Sequence, residues 1–392
     1  MSFSANIPKL YAFSFLKMTL FPMAVITLFW KDHIGLTLTE ILLLQGFFSV
    51  ATLLMEYPSG YVSDRLGYRF SLLFASAVGV AGWLVYTVAG SFAGVLLAEG
   101  LLGVSYAFIS GADSALLFET LKSEGREELY ARFDGRMNFW AQGGEAAGAL
   151  FAGLLYAAHP LSPFVLQVGV WLLALGLCRT LAETPAEEVP APPASHLREA
   201  AAVCRRALID QPPLRATLLL AAFLGVASFF PVWLIQPHMQ QTGVPLSWFG
   251  PIWAGANLTV ALFSLASHRC HFHLGDRGML LLCLILVVAG YLGLGLVGGV
   301  GSFLFYYLLT AMRGLQGPLL RHHLQTAGTR ANRASLLSLK SLLFRLLFVA
   351  GGPLVGHLAD LKGLPFTFLC LAAFFAAVLL PLSALFLRHR AR

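Results

Sequence analysis

The chain has 392 residues, of which 58% are hydrophobic and 11% charged, and its formal net charge is +7. A water-soluble globule carries about a quarter charged residues, so that class is excluded. The basic excess lies in short segments between apolar runs, where it sets membrane orientation, and this argues against nucleic acid as a partner.

Twelve apolar runs follow one another at about 8–30, 38–63, 70–89, 91–119, 134–158, 162–181, 214–240, 246–267, 279–298, 301–323, 335–358 and 364–387. At roughly 20 residues per crossing they predict an all-α polytopic membrane protein with the lipid bilayer as its main partner. The first run contains Lys17 and has no small-residue cleavage site before Lys31-Asp32-His33, so it is expected to remain as a helix. Twenty lysines and arginines fall in the termini and connections of one side, against Lys31 and Lys362 on the other. By the positive-inside rule both termini are expected in the cytoplasm, with the chain in a cytoplasmic (inner) membrane. The five cysteines lack paired spacing and are expected as free thiols.

Between the sixth and seventh runs lies ETPAEEVPAPPASHLREAAAVCRRALIDQPP, from Glu183 to Pro213. Its acidic, proline-rich half should be extended, and residues near 195–210 should form a basic amphipathic helix at the membrane surface. The expected division is an N-terminal six-helix bundle over 1–182, a cytoplasmic linker over 183–213 and a C-terminal six-helix bundle over 214–392. Two pseudo-symmetric bundles of six transmembrane helices each would place a cavity between them. Glu99-Gly100-Leu101-Leu102-Gly103 in the fourth run and Arg313-Gly314-Leu315-Gln316-Gly317 in the tenth share a charge four residues before a glycine. The fifth and eleventh runs are both glycine-rich, which lets helices approach closely.

The connection Gly60-Tyr61-Val62-Ser63-Asp64-Arg65-Leu66-Gly67-Tyr68-Arg69 resembles the G-x-x-x-D-R-x-G-R-R signature of the major facilitator superfamily. Arg313 to Gly317 is similar to that family's R-x-x-x-G element, which usually sits in span four, where this chain has Glu99. Gly351-Gly352-Pro353-Leu354-Val355-Gly356 resembles the family's glycine-proline antiporter element, normally in span five. The resemblance implies two bundles rocking around a central site, with Gly60, Asp64, Arg65, Gly67 and Arg69 forming a cytoplasmic latch. On a continuous helix Asp113 lies about 21 Å beyond Glu99, near the cytoplasmic end and available to Arg65 or Arg69.

Charges inside a bilayer cost at least about 2.5–3.5 kcal/mol, which makes each a functional candidate. Glu56, Glu99 and Glu145 fall in the N-terminal half, and Lys17, Arg313, Lys340 and Arg345 complete the intramembrane set, with Lys340, nearer the cytoplasmic end, expected to snorkel to the interface. Gln45, Ser49, Thr52 and Glu56 share one helical face, as do Glu99, Gly103, Tyr106, Ser110 and Asp113, and Asn138, Gln142 and Glu145. Such stripes are expected to border water; the alternative is interhelical hydrogen bonding that only holds the bundle together. A carboxylate in such surroundings can bind and release protons near neutral pH, so Glu99, Glu145 and Glu56 are candidates for proton coupling. Lys17, Gln142, Tyr106, Trp140, Arg313, Arg345 and Trp253 are candidates for binding a small-molecule substrate.

His268-Arg269-Cys270-His271-Phe272-His273 and Arg321-His322-His323 carry ligand types, but their spacing matches no closed zinc site. They are expected to be basic connections, with no metal and no cofactor. Leu274-Gly275-Asp276-Arg277-Gly278 has the look of a degraded second latch. Absence of a G-x-S-x-G elbow, an H-E-x-x-H pair or a nucleotide loop disfavours a membrane enzyme. The sequence thus points to a monomeric secondary transporter exporting a small organic molecule in exchange for protons. The alternative is proton-coupled uptake of an organic anion or a metal chelate such as a siderophore.

Overall fold

The computed structural model describes residues 5–183, 204–327 and 333–390, and among them every regular element is helical. We label the main helices α1 (Asn6–Met18), α2 (Leu38–Leu66), α3 (Tyr68–Val88), α4 (Phe92–Ile109), α5 (Ala112–Lys122) and α6 (Tyr130–Ala158). They continue as α7 (Ser162–Arg179), α8 (Pro212–Gln241), α9 (Leu246–Leu296), α10 (Leu304–Ala327), α11 (Arg333–Lys362) and α12 (Leu364–Arg390). Eight of the described helices are long and apolar enough to cross a membrane. One of these, α9, is two helices meeting at Gly275 (φ 61°, ψ −178°). Another joins α4 and α5 as one stretch, Phe92–Lys122, and the polar residues of α6 and α10 and the shortness of α1 set those three apart.

Two expected spans are interrupted. The first stops at Met18 and resumes as a helical turn at Ile26–Leu28 and a π turn at Phe29–His33. Pro22 lacks the N–H that a continuous helix needs. The opened backbone is satisfied locally: the Thr19 hydroxyl donates to the Phe15 carbonyl (2.8 Å), and the Phe21 N–H donates to Oε1 of buried Gln167 (3.0 Å). The fourth span breaks between α4 and α5 at Ser110 and Gly111, where Gly111 takes φ 86°. Asp113 therefore stands in the first turn of a new helix and does not extend the Glu99 face. The 195–203 part of the expected surface helix lies outside the described residues; Arg206–Asp210 form a π turn before α8.

The chain divides into two compact units, Met1–Leu36 with Leu43–Pro190 and Pro245–Ala254, and Thr37–Leu42 with Ala191–Val244 and Gly255–Arg392. In the first unit α3 packs on α4 and α7, and α1 packs on α6. Its core holds the fully buried rings of Phe13, Phe29, Trp30, Tyr86, Phe164 and Trp171. A β-carbon on Gly144 of α6 would lie 2.1 Å from the Phe15 carbonyl oxygen, and one on Gly148 would lie 2.6 Å from the Leu20 N. Backbone cannot yield as a flexible side chain does, so Gly144→Val is expected to cost about 1–3 kcal/mol or more. Gly143→Ala, whose nearest neighbour is 3.9 Å away, should be neutral. Thermal unfolding of the two variants in detergent checks this, and equal midpoints would refute the close approach.

In the second unit α8 packs against α10, α11 and α12, around the buried rings of Tyr291, Phe348, Phe368 and Phe375. The first turn of α2 belongs to this unit and has a reciprocal cap. Glu40 accepts from the Thr37 N–H (2.8 Å), while Thr37 Oγ1 accepts from the Glu40 N–H (3.2 Å). Asp360 of α11 accepts from the Leu38 and Thr39 N–H groups, both at 2.9 Å, so the first turn's donors are satisfied.

Candidate functional site

Glu99 of α4 is 4% exposed and both its oxygens are engaged. Tyr86 Oη donates to Oε1, and Gln45 Nε2 donates to Oε2 at 3.1 Å. The stripe expected along span two thus meets the one along span four, at a buried contact in place of an open face. Tyr86 is held by stacking on Trp83 and Phe164, with centroids 5.4 and 5.2 Å away. Nothing in the spacing singles out Tyr86, since a tyrosine in an apolar run reads as one more aromatic.

Lys17 and Asp113 form an ion pair whose side chains are 17% and 8% exposed. Asp113 thus meets Lys17 instead of Arg65 or Arg69, because the break at Gly111 turns α5 away from the line of α4. Lys17, expected among the substrate-binding residues, is engaged by this ion pair. Of the other expected residues in this unit, Tyr106 is partly buried with its ring edge-on to Trp171 (6.0 Å), and Trp253 is buried. Trp140 and Gln142 are exposed, Glu145 is partly buried, and Glu56 is exposed. Trp140, Tyr11 and Phe15 border an apolar recess of about 420 Å³ between α1 and α6.

The Gly60–Arg69 connection is organised by a residue the sequence did not mark. The Glu183 carboxylate accepts from the Tyr68 N–H (3.0 Å) and the Arg69 N–H (2.9 Å), capping the start of α3. Burial pushes the Glu183 carboxyl above its ordinary value, against the opposing pull of these backbone donors and the Arg69 charge. Gly67 takes φ 94°, and a β-carbon there would lie 2.5 Å from a Glu183 oxygen. The Arg69 guanidinium donates to the Arg179 carbonyl (2.9 Å), which ties the connection to the end of α7. Gly60 and Asp64 are exposed, and Arg65 lies over the Tyr61 ring at 4.6 Å.

Within the second unit α8, α10 and α11 border a half-open cavity of about 400 Å³. Arg313 and Lys340 bring two cations to its wall, with Gln316, Ser228 and Ser341 as polar neighbours and Phe229 and Phe344 as aromatic ones. Arg345 is partly buried one turn beyond Ser341 on α11. Such a volume suits a small organic molecule, and this lining suits one with an anionic end and an apolar body. Of these residues the sequence marked the charges. Ser228, Phe229 and Phe344 gave no signal among the many similar residues of their runs.

Eight helices long and apolar enough to cross a membrane, together with a half-open cavity lined by charged, polar and aromatic side chains, fit the architecture of a multi-pass membrane transporter. The family model described as Major Facilitator Superfamily matches residues 10–321, and the chain belongs to that superfamily. No curated protein matches the chain. Among solved structures, nucleoside transporter NupG superposes with a TM-score of 0.83 at 12% identity, over 98% of this chain and 99% of that one. A bacterial homolog of the human lysosomal transporter Spinster, inward-facing and unoccupied, gives a TM-score of 0.74 at 16% identity, over 99% and 98%. A POT family transporter in complex with 5-aminolevulinic acid gives 0.72 at 12% identity, over 96% and 95%. At these identities the likeness is one of fold.

Proposed function

We propose that this transporter moves a small amphipathic organic anion across the cytoplasmic membrane by alternating access, coupled to protons through Glu99. The observation that carries the reading is the cavity in which Arg313 and Lys340 stand beside neutral donors and aromatic rings. The cations receive a carboxylate or phosphate, Gln316 and the two serines orient it, and Phe229 and Phe344 cover the apolar part. Glu99, enclosed with one donor on each oxygen, is the group whose protonation changes during the cycle. The protein works as a monomer with both termini in the cytoplasm, in keeping with its basic connections.

An anionic substrate bears on direction. The inside-negative potential of a cytoplasmic membrane opposes entry of an anion by about 2.3 kcal/mol per charge per 100 mV, and a co-transported proton cancels that charge. Uptake by symport therefore makes use of a buried carboxylate, whereas outward movement of an anion is already driven by the potential. Proton-driven export remains the second reading, favoured by the Gly351-Gly352-Pro353 element within α11.

The test begins with thermal shifts of purified protein across a panel of carboxylates, siderophores, antibiotics and peptides, followed by flux under pH gradients of either sign. Arg313→Gln removes a charge-assisted contact worth about 1.5–3 kcal/mol. It should weaken binding of the anion that stabilises the wild type by about tenfold or more. Unchanged affinity in Arg313→Gln and in Lys340→Gln would overturn the cavity assignment.

A further inference from the structure

We propose that His271, Asp276 and His323 form a binding site for one divalent transition-metal ion of the zinc class. Nε2 of His271 and Nε2 of His323 lie 2.8 and 3.0 Å from the same carboxylate oxygen, Oδ1 of Asp276. The three potential ligand atoms all lie within 4.8 Å of one another. Ligands about 2.1 Å from a shared zinc ion sit roughly 3–3.5 Å apart, so the two His–Asp edges need open only slightly while both imidazoles stay within reach of one ion. Two imidazole nitrogens with one carboxylate oxygen suit zinc, cobalt or nickel, whereas magnesium and calcium prefer all-oxygen sets.

The chain builds this convergence by three means. Gly275, with φ 61° and ψ −178°, breaks α9 immediately before Asp276 and returns the carboxylate toward His271, five residues earlier. His323 comes from α10 and is 5% exposed in its side chain, so its ring has a fixed place. That ring also packs against Phe386 of α12, with centroids 5.4 Å apart. The side chains of His271 and Asp276 are 33% and 20% exposed, which leaves an ion a route in and room for water as a further ligand. The sequence places these residues at the position where the first half carries its Asp64-Arg65 connection. An ion here would pin the kink of α9 to α10.

Full-length protein, purified without a histidine tag, would be titrated with Zn²⁺ against a chromogenic chelator and with Co²⁺ while its visible absorption is recorded. One ion per chain is expected at this site, with a d–d spectrum of nitrogen and oxygen ligation, and Mg²⁺ should not compete. His271→Ala should weaken that ion at least tenfold and abolish the spectrum, and Asp276→Asn should do the same. His271 is one-third exposed, so its replacement should preserve the fold, as elution and helical circular dichroism would show. Because the chain has 11 histidines and 5 cysteines, the difference between wild type and variant is the readout. Stoichiometry and spectrum unchanged in both variants, or no saturable binding in the wild type, would overturn the proposal and leave a purely hydrogen-bonded triad. The outcome is independent of substrate identity.

Discussion

Glu99→Gln is expected to abolish substrate accumulation driven by a pH gradient in proteoliposomes, down to the level of protein-free vesicles, while the protein folds normally. Glutamine has the shape of the carboxylate and keeps an oxygen for the Tyr86 hydroxyl, and the Gln45 amide can rotate to offer its own oxygen to the new amide group. Packing is thus preserved, and what disappears is the ionisable group proposed to carry the proton. Exchange of labelled for unlabelled substrate without a gradient should persist, because it requires conformational cycling and no net proton movement. Glu145→Gln, at a more accessible carboxylate, is the comparison. Loss of gradient coupling there, with full coupling in Glu99→Gln, would move the proton site to Glu145.

Asp113→Asn should lower stability by about 3–5 kcal/mol, the usual cost of stranding one member of a buried ion pair. Lys17 lies in the last turn of α1 and Asp113 in the first turn of α5, so each also faces the helix end of opposite partial charge. Removing the carboxylate leaves the ammonium with 17% side-chain exposure and no compensating negative charge from that partner. The double variant Lys17→Met with Asp113→Leu replaces both charges by apolar groups of similar size and should recover most of the loss. Melting temperatures of the two single variants and the double one measure the coupling directly. Additive losses would show that the residues do not act as a pair, and an unchanged Asp113→Asn midpoint would show that the pair contributes nothing.

These two sites also show what the sequence disclosed. Apolar run length was enough for the helices, because a bilayer demands internally bonded backbone and allows few alternatives. It could not reveal the interruption at Ser110 and Gly111, where no proline marks the break and the run stays apolar on both sides. A continuous helix would carry Asp113 along the Glu99 face, whereas the turn at Gly111 delivers it to Lys17. Periodicity correctly put Gln45 and Glu99 among the polar residues of their helices. A period states which residues share a side, however, and not what lies opposite, so it gives no sign that Glu99 and Gln45 close on Tyr86 in a buried contact. Glu183 was missed for a related reason. Its role depends on a cap formed 114 residues away in sequence, at the Arg69 N–H, and its own neighbourhood reads as an acidic linker.

In the proposed cycle an organic anion and a proton cross together by way of Glu99. Its most direct test is the pH of lightly buffered medium outside proteoliposomes when the anion identified by thermal shift is added. Wild-type protein should alkalinise the medium in proportion to anion uptake, and Glu99→Gln should not. Anion uptake by wild-type protein with no change in external pH would contradict the account.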